Sequence, residues 1–160
     1  MAVTVAVEIP LKDDIRELVF LLNEHLLPLS PIEFQWKKTV EEMAGPETTV
    51  FVARDETGRA VGCGALKLAD NGLAEVKRMY TRPEVRGQRV GSALLEAITE
   101  LARAKGVTTL LLETGTGPGF AGAYRLYENS GFAVRGPFFD YPESEWSRFY
   151  EKSLQQPATA

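Results

Sequence analysis

The chain of 160 residues fits one domain by the usual range of about 100–200 residues, and at that length roughly two-thirds of the unfolded surface can be buried without a disulfide or structural metal. Its 44% hydrophobic and 25% charged content is ordinary for a globular chain, and a net charge of −4 disfavours nucleic-acid backbones and anionic lipid as partners. The single Cys63 and single His25 exclude thiolate zinc sites, intrachain disulfides and histidine-rich metal clusters.

A serine-hydrolase triad would need His25 as its base, yet His25 falls on a helical pattern and no nucleophile elbow occurs elsewhere. No apolar run approaches the about 18 residues of a membrane span. The start Met-Ala-Val-Thr-Val lacks a basic, apolar leader, and one cysteine suits a reducing compartment. The expectation is a cytoplasmic protein with no metal, no membrane association and no nucleic-acid partner.

Alternating Val3, Val5 and Val7 predict an opening strand, stopped by Pro10, which suits the first turn of the helix that follows. Ile15, Leu18, Val19, Leu22 and Leu26 carry the helical period until Pro28 and Pro31 break it. A second helix is expected from about Ile32 to Met43, ended by Gly45-Pro46. Thr48–Arg54 and Ala60–Leu68 read as a hairpin turning through Asp55-Glu56-Thr57-Gly58.

Ala74–Thr81 reads as a further strand and Gly87–Lys105 as a long helix with Val90, Leu94, Ile98 and Leu101 on one side. Thr108–Thr114, with three successive leucines, has the pattern of a central strand covered on both faces. Strand, helix, strand implies a parallel crossover. A shorter helix from about Phe120 to Asn129 precedes aromatic strands from Phe132 through Tyr150, and Gln155–Ala160 reads as a flexible tail behind a single domain of residues 1–154. The result is an α/β fold: a mixed, mostly antiparallel sheet with one late parallel strand pair and flanking helices. Ligands in such sheets sit beyond the carboxyl ends of strands where connections diverge, which directs attention to the turns after residues 81 and 114.

The turn Arg82-Pro83-Glu84-Val85-Arg86-Gly87-Gln88-Arg89-Val90-Gly91-Ser92 sets glycines and arginines at a helix entrance. Free amides there point outward, the helix dipole adds positive potential, and small residues let a diphosphate approach the main chain. No Gly-Lys-Ser/Thr follows, so a Walker loop is absent. Gly117-Pro118-Gly119-Phe120-Ala121-Gly122 matches the dinucleotide spacing, but too little chain remains beyond it for the rest of a dinucleotide fold.

Arg86-Gly87-Gln88-Arg89-Val90-Gly91 resembles the Gln/Arg-x-x-Gly-x-Gly/Ala signature of the GNAT superfamily of N-acetyltransferases, which cradles the pyrophosphate of acetyl-coenzyme A. Ala74–Thr81 looks like the family's preceding strand, and Ala123–Phe132 like its late helix ending in Leu-Tyr-x-x-x-Gly-Phe. The three blocks cover residues 74–132 in family order. Arg89 replaces the signature's first internal glycine, so the main chain there is expected to avoid positive φ, with the guanidinium as a candidate phosphate donor or a solvated side chain.

The resemblance implies transfer of acetyl from acetyl-coenzyme A to a primary amine by direct attack, without an acyl-enzyme. It assigns coenzyme binding to Met79, Tyr80 and Thr81, through main-chain groups, and to Arg86, Gly87, Gln88, Arg89, Val90, Gly91 and Ser92. Cys63, between two glycines, then reads as a small packed side chain. Tyr127 matches the family's tyrosine that protonates the departing thiolate, with core packing beside Tyr124 as its other reading. Glu75 resembles the base of some members or a partner of Lys77, and Glu113 is the competing carboxylate. Phe34, Trp36, Phe138, Phe139, Tyr141 and Trp146 are candidates for an acceptor cavity or for core. Small-molecule amines and peptide or protein amines all stay open as acceptors. Family analogy alone suggests a homodimer. The rival from another class is a catalytically silent coenzyme A sensor.

Overall fold

The computed structural model describes residues 2–31, 33 and 40–154. Strand β1 (Thr4–Val7) leads to helix α1 (Asp13–Leu26), the short α2 (Val40–Met43), and strands β2 (Thr48–Arg54), β3 (Ala60–Leu68) and β4 (Leu73–Thr81). Helix α3 (Val90–Ala104), β5 (Thr109–Gly115), α4 (Ala121–Asn129), β6 (Ala133–Arg135) and β7 (Ser147–Ser153) complete the chain. Seven strands form one sheet in the order β1-β2-β3-β4-β5-β7-β6, and only β4–β5 is parallel. This is the mixed sheet expected. Most of the second expected helix and the tail lie outside the described residues.

Each face of the sheet carries its own core. Leu110 and Leu112 of β5 join α3 residues Leu94, Leu95, Ile98 and Ala102 on one side, while Leu111 points the other way, into a cluster with Phe138 and Phe149. The successive leucines thus serve both faces, as their pattern implies. On that second face α1 lays Ile15, Leu18, Val19 and Leu22 against Val50, Val52, Cys63, Ala65 and Tyr80. Each such side chain contributes about 1.5–3 kcal/mol by leaving water. Glycines in β3 let α3 settle close: a Cβ on Gly62 would lie 3.1 Å from Leu94, and one on Gly64 only 2.5 Å from the Met79 sulfur.

Local chemistry fixes the elements. Asp55 Oδ1 accepts hydrogen bonds from the Thr57 and Arg59 amides and the Thr57 hydroxyl, and Gly58 at φ 85 completes the β2–β3 turn. Helix α1 opens at Asp13, later than Pro10, with Asp13 and Asp14 favourably placed in its first turn. Helix α3 opens at Val90 instead of Gly87. Gly87 at φ 82 and Arg89 at φ 65 are left-handed, and neither can lie inside an α-helix. No helix among the described residues is long and apolar enough to cross a membrane.

Two irregularities position the cleft. First, β4 and β5 pair only from Leu73↔Thr109 to Val76↔Leu112; beyond these residues β4 follows β3 and β5 follows β7. The two strands part, and the main chain of residues 77–81 loses its partner on the β5 side. Second, the β3–β4 register slips between Cys63 and Ala65, with Arg78 in the bulge at φ 57. Before the bulge Val76 packs in the α3 core, whereas Tyr80, an even number of residues on, packs with α1. The extra residue has reversed the alternation.

Candidate active site

The parted strands open a cleft of about 640 Å³. Its walls are the free stretch of β4, the turn into α3, the end of β5, the start of α4 and the last turns of α1. Met79, Tyr80, Thr81, Arg86, Gly87, Arg89, Val90, Gly91 and Ser92 all line it, as do Glu75 and Tyr127. One member of the sequence-derived set stands apart. Gln88 does not line the cleft; its side chain turns back to donate to the Glu84 carbonyl at 3.3 Å and its amide donates to the Val85 carbonyl. It fastens the turn instead of facing a ligand.

At the α3 end the first intrahelical bond runs from the Ala93 amide to the Arg89 carbonyl, 3.0 Å, so Val90, Gly91 and Ser92 form an uncapped first turn without acidic side chains. Three outward amides and the positive helix end suit a dianion. Arg86, Arg89 and Arg125 add cationic side chains around it. Arg86 is also tied to β4, donating from Nε to the Thr81 carbonyl at 3.2 Å and lying over the Tyr80 ring.

Arg89 overturns one expectation: its φ is 65, not negative. The chain must swing from the short turn at Pro83–Val85 onto the α3 axis while burying Val90 and holding Gly91 against Leu126. Those contacts impose a left-handed residue whichever side chain stands there, at about 1–2 kcal/mol for a residue with a Cβ. Arg89→Gly is therefore expected to gain about 1 kcal/mol and raise the melting temperature by about 2–4 °C, and Arg89→Ala to show no such gain in thermal denaturation.

At the other end two carboxylates face the gap from adjacent strands. Glu75 is buried, and its Oε2 accepts from the Tyr141 hydroxyl at 2.6 Å and from Lys77 Nζ at 3.2 Å. Lys77 also donates to the Tyr141 oxygen at 2.8 Å, which closes a three-membered network. Glu113 accepts from the Ser147 hydroxyl at 2.8 Å. Burial pushes the Glu113 carboxyl up to about 7, with the Glu75 charge acting in the same direction and Ser147 and Lys77 opposing it.

Tyr127 comes from α4 on the opposite side of the sheet, its ring held between Phe132 and Tyr150 at 6.0 and 5.9 Å. Burial, then the Glu113 charge, raises its phenol well above the usual tyrosine range. It is a phenol, never a phenolate, at neutral pH. Tyr124 has a different duty: its hydroxyl donates to the Gly115 carbonyl and accepts from the Gly117 amide, securing the turn after β5. Cys63 is fully buried and its thiol is pushed up to about 12 by desolvation, so it is an inert packing residue.

Among the proposed acceptor aromatics, Tyr141 lines the cleft, Phe138 is buried against Leu111 and Phe149, and Phe139 is exposed at φ 50. Trp146 is half-buried away from the lining, and Phe34 and Trp36 lie outside the described residues. The structure adds cleft residues that the sequence did not nominate: Arg78, Arg125 and, from α1, Leu22, His25 and Leu26. The helical period located the buried face of α1 but carried no signal that its last turns roof the gap between β4 and β5.

The cleft thus has a bare helix start at one end and two carboxyls and a buried phenol at the other. Residues 46–134 match the family model of the acetyltransferase (GNAT) domain. An IAA acetyltransferase from Azospirillum brasilense is 42% identical, covering 95% of this chain and 98% of its own. The uncharacterised N-acetyltransferase YsnE of Bacillus subtilis is 39% identical, covering 87% of this chain and 93% of its own. Among solved structures, PaiA N-acetyltransferase from Thermoplasma acidophilum in complex with coenzyme A shares the fold, with a TM-score of 0.72 at 16% identity over 96% of this chain and 100% of that one. The chain belongs to the GNAT superfamily and is an N-acetyltransferase.

Proposed function

We propose that this enzyme binds acetyl-coenzyme A along the cleft and transfers the acetyl group by direct attack to a primary amine, with Glu113 as proton acceptor and Tyr127 as proton donor. One observation carries the reading: a single cleft joins the uncapped α3 terminus, the free edge of β4, and a carboxyl and a phenol with complementary protonation states. The donor set suits the ligand. Amides of the first α3 turn with Arg86 and Arg89 would hold the pyrophosphate, and the edge of Met79–Thr81 that β5 leaves without a strand partner would hold the pantetheine amides. That the Thermoplasma neighbour of the same fold is a complex with coenzyme A supports a coenzyme A thioester as the ligand.

When bound, acetyl-coenzyme A supplies the activated acyl carbon. Glu113, half ionised near pH 7, takes a proton from the incoming ammonium or from the attacking nitrogen. Tyr127 keeps its proton until a thiolate departs beside it, then donates it. Glu75 has both its neighbours bonded to one oxygen, which suits it to setting the positions of Lys77 and Tyr141. Lys77 in turn moderates the charge on Glu113.

Calorimetric titration with acetyl-coenzyme A, paired with thiol release across a panel of amines, tests the reading. Binding with acceptor-dependent thiol release is expected. Binding without acceptor-dependent release would favour the silent sensor, and no binding would remove both. Arg89→Gly and Arg89→Ala are each expected to weaken coenzyme binding several-fold, less at high salt; unchanged affinity at every salt concentration removes Arg89 from the phosphate site.

A further inference from the structure

Arg78 is a buried cation without a counter-charge. It is 9% exposed, lines the cleft, and has no ion pair among the described residues. Its one side-chain partner is neutral, the Asn23 amide oxygen of α1, which accepts from Nη2. Its Nε is buried and has no hydrogen-bond partner among the described residues. The chain neutralises its other well-buried arginines. Arg82 binds Glu17 at 3.2 Å and the Ala60 carbonyl at 2.7 Å, and the part-buried Arg54 binds both Glu8 and Asp14.

A guanidinium does not escape burial by losing its proton, so an unpaired one is costly until an anion joins it. Among the described residues the cleft lining offers no free anion. Its acidic lining residues are Glu75, held by Lys77 and Tyr141, and Glu113, held by Ser147. The other α1 residues around the opening are Leu22, Leu26 and His25, and burial together with the Arg86 charge keeps the imidazole neutral at pH 7. The bulge in β4 turns Arg78 toward this α1 side, the face that Glu75 and Tyr141 share and opposite the α3 core.

We propose that Arg78 seats a carboxylate of the acceptor, so that the enzyme selects primary amines that also carry an acid group. This rests on the transferase reading above. A carboxylate matches the planar donors of the guanidinium that lines the cleft and supplies the charge it lacks. Seating it there orients the amine toward the carboxyl at the end of β5, and the acid group gives binding energy at no chemical step.

The test compares matched acceptors in the intact enzyme with acetyl-coenzyme A: amino acids against their carboxamides, and 4-aminobutyrate against 4-aminobutanamide. The amine of an amino-acid amide is the weaker base and is more fully deprotonated, so solution chemistry favours the amide. The enzyme is expected to prefer the acid member of at least one pair by about 10- to 100-fold in kcat/KM, chiefly through KM. Arg78→Gln is expected to collapse that ratio toward unity and Arg78→Lys to restore part of it. Because the ratio is taken within one protein, a loss of folded material cancels. Carboxamides used as well as the acids throughout, or acetyl-coenzyme A binding with no carboxylated amine acetylated, overturns the inference and leaves the transferase reading standing. Failure to bind acetyl-coenzyme A sinks that reading and this inference with it.

Discussion

Replacing Glu113 by glutamine is expected to lower kcat/KM by about 10²- to 10³-fold at neutral pH, the range a positioned general base supplies. The wild-type rate should rise with pH and level off above about 7, where the carboxyl is ionised, and the variant should lose that acid-side inflection. The same substitution has a stability signature of definite sign. The folded-state value of about 7 lies above the ordinary carboxyl value of 4.5, so the neutral carboxyl is the favoured buried form. Its contribution is complete below the unfolded value and is lost as pH rises through about 7. Glutamine stays neutral, so the difference in melting temperature, variant minus wild type, should grow in the variant's favour as pH rises from 4.5 to about 7 and stay constant above it. A variant of full activity with an intact inflection would transfer the role to Glu75.

Tyr127→Phe is expected to lower kcat by about 100-fold and leave the affinity for acetyl-coenzyme A within about twofold. The split between the two constants is informative because phenylalanine keeps the ring between Phe132 and Tyr150 and removes only the hydroxyl. Lost packing would reduce both binding and stability, whereas a lost proton donor reduces turnover. Full turnover in the variant would reject the assignment. The phenol is raised far above its ordinary value, so no alkaline fall in rate from its ionisation is expected across the range in which amines are assayed.

Much of the scaffold was written in local pattern. The β2–β3 hairpin has the predicted ends because the β-branched run of β2, the apolar run of β3 and an Asp-Glu-Thr-Gly turn between them leave little choice. The parallel β4–β5 pair followed from a helix between two strands and from leucines at three successive positions. Arg89 and the start of α3 were misplaced for a common reason. Left-handed backbone is imposed there by the packing of Val90 and Gly91, and a sequence holding arginine at that point does not advertise it. The bulge was equally silent. Strict alternation from Val76 sends Arg78 into the α3 core, and only the slipped pairing opposite Cys63–Ala65 sends it to α1. Glu113 stands at the end of a strand, where the sequence places a carboxyl, but its raised proton affinity comes from burial and from the Glu75 charge on the neighbouring strand, which only the folded chain brings beside it.

The reversal halfway along β4 lets one stretch of chain furnish two chambers. Met79 packs toward α3, whose first turn is proposed to hold the pyrophosphate, while Arg78 and Tyr80 look into the opposite compartment. If the proposed roles hold, a substitution at Arg78 is expected to change which acceptor is used while leaving the hold on the acyl donor as it was.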